Sequence, residues 1–280
     1  METNIILAGV GGQGIVSISY VIDMASLEHG LSFKQAEVHG MSQRGGAVQS
    51  HLRISDKPIH SDLVPKGRGN LILSIEPLES LRYVEYLAPE GAVVSATDPF
   101  INISNYTDVE LILDRIATLP SHTLIPAERL ARAAGSARAA NMVVLGAGSP
   151  FLNLPGELLE RAILNAFRDK GEKIQTTNIA AFRAGKAAGA AYRACLTAGL
   201  RSREARVLVG RLEGGVLADS AIPSWKQLLS GNLSAALYDL LASAAPGRFS
   251  GIDDVPRSVL AAGDAALGQL PSLLFKATKT

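Results

Sequence analysis

The chain has 280 residues, 47% of them apolar and 19% charged, with 27 Gly and 13 Pro, a globular composition that excludes a disordered tail protein, a collagen-like repeat and a highly charged solenoid. Its 27 basic and 26 acidic side chains leave a formal charge of +1, too weak a field to gather a polyanion, which argues against nucleic acid as the main partner. A single cysteine, Cys195, excludes an intrachain disulfide, a zinc site of several thiolates and an iron–sulfur cluster held by this chain alone, since a cubane takes about four thiolates.

In chain order, the apolar run at residues 4–9 is followed at once by glycines and then by Ile15, Ile18, Val21, Ile22 and Ala25 at helical spacing. That pattern predicts a strand, a tight turn and a helix. Residues 33–38 are too polar for a central strand. The loop His39-Gly-Met-Ser-Gln-Arg-Gly-Gly46 comes next, and its glycines permit unusual backbone angles and close approach of a ligand or another chain. Residues 47–54 alternate, with Val48, Leu52 and Ile54 on one face and Gln49, His51 and Arg53 on the other, as a half-exposed antiparallel or edge strand does.

Apolar runs at 70–75, 92–96, 122–125 and 142–146 predict buried strands, separated by helical or turn stretches at 76–87, 127–134 and 155–168. The repetition of strand and helix predicts an α/β fold with a doubly wound, mainly parallel sheet, Rossmann-like, over residues 1–200. Residues 179–200, rich in Ala and holding Gly185 and Gly189, predict a helix that lets a neighbour pack closely. Beyond the charge cluster Arg-Ser-Arg-Glu-Ala-Arg206 the texture changes, so residues 201–280 are expected as a mostly helical C-terminal extension.

Residues 3–22 carry no charge, but their four glycines, Asn4, Gln13, Ser17 and Ser19 do not suit a membrane helix. The N-terminus also lacks the basic start and cleavage site of a secretory signal. With one free thiol, the expected location is the cytoplasm, with no membrane partner.

Gly9, Gly11 and Gly14 fit G-x-G-x-x-G, placed directly after a strand and at the start of a helix as that fingerprint requires. Such a loop lets backbone amides and the helix dipole meet a phosphate. A dinucleotide site also calls for an acidic residue about 20 positions on, at the end of a second buried strand, and Glu37 is the candidate. Two readings of Gly9, Gly11, Gly12, Gln13 and Gly14 therefore stand side by side: a cofactor-phosphate loop, or a tight turn with close packing.

Taken together, Gly9-Val-Gly-Gly-Gln-Gly14, the loop His39-Gly-Met-Ser-Gln-Arg-Gly-Gly46, the strand Gln49-Ser-His-Leu-Arg-Ile-Ser55 and Thr177-Asn-Ile-Ala-Ala-Phe-Arg-Ala-Gly185 resemble the gamma-type subunit or domain of 2-oxoacid:ferredoxin oxidoreductases, in particular the indolepyruvate type. The resemblance covers about residues 1–200. It implies a heteromeric complex in which a large alpha subunit holds thiamine diphosphate, Mg and iron–sulfur clusters. That complex oxidatively decarboxylates an arylpyruvate to an acyl-CoA, with coenzyme A as cosubstrate and ferredoxin as electron acceptor. The present chain is then a non-cofactor-carrying subunit, inactive alone, with His39, Ser42, Gln43, Arg44, Gly45 and Gly46 facing substrate, coenzyme A or the partner. A stand-alone NAD- or flavin-binding oxidoreductase, or the gamma subunit of a pyruvate or 2-oxoglutarate enzyme, are the alternatives.

No catalytic or metal-ligating set emerges from the remaining residues. His39 and His51 lack an accompanying Ser or Cys nucleophile and read as loop and strand-surface histidines. Cys195 shares a helical stripe with Ala188, Ala191 and Tyr192, the setting of a small buried hydrophobe. Arg44-Gly-Gly46 occurs once, without the repeats of an RNA-binding tract. Arg201, Arg203 and Arg206 read as a solvated face, and Trp225 and Tyr238 as packing residues.

Overall fold

The computed structural model describes residues 1–39, 45–101, 105–197 and 201–211. The consecutive apolar residues Ile5, Ile6 and Leu7 of β1 (Glu2–Val10) have no solvent exposure, as a strand covered on both faces requires. β1 stands inside a six-stranded sheet of order β2-β3-β1-β4-β5-β6. On one side of it, β4 (Gly69–Ser74), β5 (Leu87–Ala96) and β6 (Ser121–Ile125) continue in parallel. On the other side, β3 (Ala47–Ser55) is antiparallel to β1 and β2 (Ser32–His39) antiparallel to β3. The sheet is therefore mixed and mostly parallel, and the polar residues 33–38 form its edge strand. An edge needs apolar side chains least.

α1 (Ile15–Glu28) buries Ile15, Ile18, Val21, Ile22 and Ala25, the stripe expected from its spacing. α2 (Pro77–Arg82) packs on β1, β4 and β5, and α3 (Val109–Ile116) packs on α2. The buried Glu76 carboxylate caps α2 by accepting from the Glu79 amide at 2.8 Å. α4 (Ala127–Ala133) and α6 (Gly156–Ala166) fall where helices are expected.

Residues 142–146 do not form a strand. They lie in α5 (Ala140–Gly148), where every residue from Asn141 to Gly148 is buried. A continuous apolar run is compatible with either a strand or a helix enclosed on all sides. Here the enclosure comes from the ends and faces of β4, β5 and β6 together with α1 and α4.

α7 (Glu172–Thr197) crosses α5 at van der Waals contact of the two backbones. A Cβ on Gly146 would stand 1.9 Å from the Phe182 carbonyl oxygen, and one on Gly185 would stand 1.8 Å from that of Val143. Gly185 thus does what the Ala-rich pattern predicts.

His51 departs from its expected place on an exposed strand face, being only 3% exposed. Residues 56–68 fold back over that face: the Val64 amide donates to His51 Nδ1 at 3.1 Å, and Tyr86 meets the imidazole edge-on at 5.1 Å between centroids. Arg53 on the same face donates to the Ser61 carbonyl at 2.9 Å. Alternation in sequence marked two faces but not the segment that covers one of them.

The chain divides into two compact units, Met1–Lys186 and Ala187–Thr280. In the second, the described residues are the end of α7 and α8 (Ser202–Arg211), joined by a 2.6 Å hydrogen bond between the Tyr192 and Ser202 hydroxyls. Arg201 and Arg203 are exposed there. Trp225, Tyr238 and the rest of the tail expected to be helical lie outside the described residues, as does the side chain of Cys195. Among the described residues, no helix is long and apolar enough to cross a membrane.

Candidate functional site

Between β1 and α1 the chain turns through Gly11, Gly12, Gln13 and Gly14, with left-handed backbone at Gly12 (φ +100°) and Gly14 (φ +83°). Gln13 closes the turn on itself. Its amide donates to the Val10 carbonyl at 3.1 Å, and its Oε1 accepts from the Val10 amide at 2.7 Å. A Cβ on Gly14 would come within 2.6 Å of Asn141 Nδ2, and one on Gly9 within 3.0 Å of Gln13 Oε1. These two glycines serve packing. Gly12 differs, because nothing lies within 4 Å of where its Cβ would be.

Gly14 caps α1 without a side-chain acceptor, and the first turn holds no acid. The positive end of the helix dipole is therefore uncompensated by the cap or the first turn of α1. Gly11, Gly12, Gly14 and Ile15 line a cavity of about 390 Å³ there, together with Val16 and Val48.

The second glycine motif meets the first. The Gly11 amide donates to the Gly46 carbonyl at 2.8 Å, and the Gly45 amide donates to the Gly11 carbonyl at 3.3 Å. This pair prolongs the β1–β3 ladder beyond its last register pair, Val10 with Ala47. Gly45 is left-handed, at φ +78°, so the reversal into β3 uses the freedom that the sequence anticipated. His39 ends β2 opposite Val48, which is itself opposite Gly9. Both ends of the loop thus stand at one end of the sheet. Ser42, Gln43 and Arg44 lie outside the described residues.

Glu37 lies near the end of β2, but β3 stands between β2 and β1. Its carboxylate accepts from Gln35 and, at 3.5 Å, from the Ser19 hydroxyl. A dinucleotide-type acid belongs on a strand adjacent to β1, so the role considered for Glu37 falls away. What Glu37 does instead is electrostatic. Burial, and then its negative charge, push the Asp23 carboxyl of α1 up to about 7, and Asp23 Oδ1 is buried without a hydrogen-bond partner.

A second cavity, of about 430 Å³, opens on the other side of Gly12. Gly12, Gln13, Ile75 and Ala96 place it at the carboxyl ends of β1, β4 and β5, with Asp98 and Phe100 on its wall. The connections leave β1 and β4 towards opposite edges of the sheet. Ligand crevices of open α/β sheets form at such a switch point. Asp98 accepts from the Glu128 amide at 2.9 Å, and its burial raises its pKa above the usual carboxylate value. Sequence reasoning missed this acid because it sought one about 20 residues beyond the glycines. Its only sequence signal was an Asp-Pro pair just past the β5 run.

A mostly parallel sheet with a glycine loop at the head of its first helix defines an α/β protein of Rossmann-like architecture. Residues 4–188 match the family described as pyruvate ferredoxin/flavodoxin oxidoreductase. The chain is similar to the indolepyruvate oxidoreductase subunit IorB of Archaeoglobus fulgidus, 33% identical over 179 residues, covering 61% of this chain and 88% of the relative. It is similar to the subunit of the same name from Methanothermobacter thermautotrophicus, 33% identical over 198 residues, 68% of this chain and 99% of the relative. The fold also resembles that of a 2-oxoglutarate:ferredoxin oxidoreductase from Magnetococcus marinus, with a TM-score of 0.54 and 24% identity. That likeness covers 66% of this chain and 30% of the other, so it speaks to the fold alone.

This chain belongs to the pyruvate ferredoxin/flavodoxin oxidoreductase family. Within it, the similarity is to the IorB subunits of indolepyruvate oxidoreductases.

Proposed function

We propose that this chain is the non-cofactor-carrying subunit of an indolepyruvate-type, arylpyruvate-oxidising 2-oxoacid:ferredoxin oxidoreductase of the cytoplasm. Residues 1–200 form its gamma-type domain, and residues 201–280 are an extension. In this reading a large alpha subunit holds thiamine diphosphate with Mg and the iron–sulfur clusters. Those groups decarboxylate the 2-oxoacid and pass electrons to ferredoxin, and the acyl group leaves on coenzyme A.

The described residues of this chain do not fit such cofactors. One cysteine is too few for a cluster, and no group of three or more His, Cys, Asp or Glu suited to a metal occurs among the described residues. Its part is to cover and to position. The observation that carries this reading is the hydrogen-bonded pair between Gly11 and the Gly45–Gly46 turn, which joins the two motifs of the family resemblance into one surface at the sheet's carboxyl end. On that surface the backbone of Gly12 and the uncapped start of α1 are suited to an anion such as a coenzyme A phosphate. Arg44, between Gly40 and Gly45 in sequence, supplies a fork of donors for a carboxylate or phosphate of cosubstrate, substrate or partner.

The test is co-expression with the large subunit, which gives a brown, active complex, while the purified chain is colourless and inert towards indolepyruvate. Turnover by the single chain overturns the reading. Within the complex, Arg44→Lys keeps the charge and loses the fork, and is expected to weaken one step by about 1–3 kcal/mol. Kinetics over coenzyme A and over arylpyruvate, beside the subunit dissociation constant, identify that step.

A further inference from the structure

The crevice on the Asp98 side of Gly12 holds a set of groups that the subunit assignment does not use. Its walls come from four segments: the glycine loop, the chain after β4, the chain after β5, and residues 127–140. At about 430 Å³ it falls within the ~300–1,000 Å³ of small-molecule sites.

The segment after β5 is tied down at both ends. The Thr97 amide donates to the Ile125 carbonyl at 2.9 Å. The Phe100 amide donates at 3.4 Å to the buried carboxylate of Glu76, which also accepts from the Tyr106 hydroxyl. Asp98 is thereby fixed, accepting from the backbone at Glu128 and at Ala127, and a carboxylate with about four acceptor positions retains others for a ligand. The second acid of the crevice, Glu128, is engaged by Arg132.

Phe100, on the wall of the crevice, is 41% exposed and so offers an aromatic face to it. Arg138 stands on the same wall with an exposed guanidinium. A fixed carboxylate, an exposed aromatic face and a cation around one crevice match, in turn, a pair of sugar hydroxyls, a planar base and a phosphate.

We propose that this crevice binds a ribonucleoside phosphate with a free 2′,3′-diol, the diol donating to Asp98, the base lying against Phe100 and the phosphate meeting Arg138. Coenzyme A carries a phosphate on its 3′-oxygen and so presents one hydroxyl and one anion where Asp98 needs two donors. The site therefore discriminates against it. The proposal stands apart from the identity of the large subunit, because it concerns this chain's own crevice and is read by binding rather than turnover.

The experiment is calorimetric titration of the full chain with ADP, 2′-deoxy-ADP and coenzyme A. ADP is expected to bind saturably, and removal of the 2′-hydroxyl to weaken it about tenfold or more, the value of a hydrogen bond to a charged acceptor. Asp98→Asn, which replaces one acceptor oxygen by a donor and removes the charge, is expected to weaken ADP at least as much as removal of the 2′-hydroxyl does, and to narrow the difference between ADP and 2′-deoxy-ADP. Phe100→Ala, at an exposed position where the fold is not at stake, is expected to weaken both nucleotides alike. Melting curves confirm that each variant is folded. No saturable binding of ADP up to about 5 mM overturns the proposal. So does coenzyme A displacing bound ADP as effectively as further ADP does, or ADP affinity indifferent to both substitutions in folded protein.

Discussion

At the crossing of α5 and α7, Gly146 and Gly185 are glycines because another backbone occupies the space where a side chain would go, with carbonyl oxygens under 2 Å from either Cβ position. In the loop before α1, Gly12 is a glycine with empty space around it, held to that residue type by its φ of +100°. The contrast separates two uses of the smallest side chain. In one region, its absence brings two helices together and stabilises the core. In the other, its absence leaves backbone exposed beside two cavities, where a ligand or a partner chain gains close access.

The comparison is broken most directly by Gly185→Ala. A methyl group 1.8 Å from the Val143 carbonyl forces the helices apart, and the expected loss is about 3 kcal/mol or more, at the upper end of overpacking costs. It is read as a lower urea midpoint or melting temperature. Retention of parent stability would mean that the crossing gives way easily and that Gly185 is not a packing residue.

Gly12→Ala is expected to cost about 1–2 kcal/mol, from left-handed backbone strain alone. Activity of the assembled complex should fall by more than this stability loss explains. Nothing lies within 4 Å of a Cβ at residue 12, so Gly12→Val adds bulk to the cavity mouths rather than to the core. Equal turnover per complex for parent and variant would reduce the loop to a generic turn.

Charge sharpens the contrast further. At the crossing the atoms nearest both glycines are mostly backbone carbonyl groups, whereas α1, which the glycine loop launches, carries the titratable Asp23. Burial and the Glu37 charge push its carboxyl up from the ordinary 3.8 to about 7 in the folded chain. Because the folded state holds the proton more tightly, stability contributed by neutral Asp23 is full below about pH 4 and declines as pH rises towards 7. Asp23→Asn is expected to stabilise the chain at pH 8 by about 1 kcal/mol, allowing for partial solvent screening of the side chain. At pH 4 it should do little. A parent and variant with parallel stability–pH curves would contradict this.

The smallest effect concerns His51. Burial lowers its pKa in the fold, so its neutral form contributes stability above the unfolded value of about 6.5, and that contribution is lost as pH falls below it. Protonation also removes the acceptor that holds the Val64 amide. The protection of the Val64 amide against exchange, relative to its intrinsic rate, is expected to fall on acidification as His51 gains its proton, and His51→Gln, which keeps an acceptor, is expected to flatten that dependence.

Sequence alone determined the elements whose pattern admits one period. The apolar run of β1, the helical stripe of α1 and the parallel strands β4 to β6 stand close to where spacing put them, because burial on two faces or on one stripe writes itself into residue order. The two glycine motifs were legible too, since left-handed backbone selects glycine regardless of what surrounds it. Tertiary structure decided the rest. A run such as Met142-Val-Val-Leu145 is buried all round and has no period, so only its neighbours made it helix. His51 became a core residue because residues 56–68 fold over it. Asp98 joined Gly12 because β4 and β5 carry it to the same end of the sheet as β1. Spacing along the chain reports local geometry, whereas these three outcomes depend on contacts between residues far apart in sequence, where the physical forces act on distance in space alone.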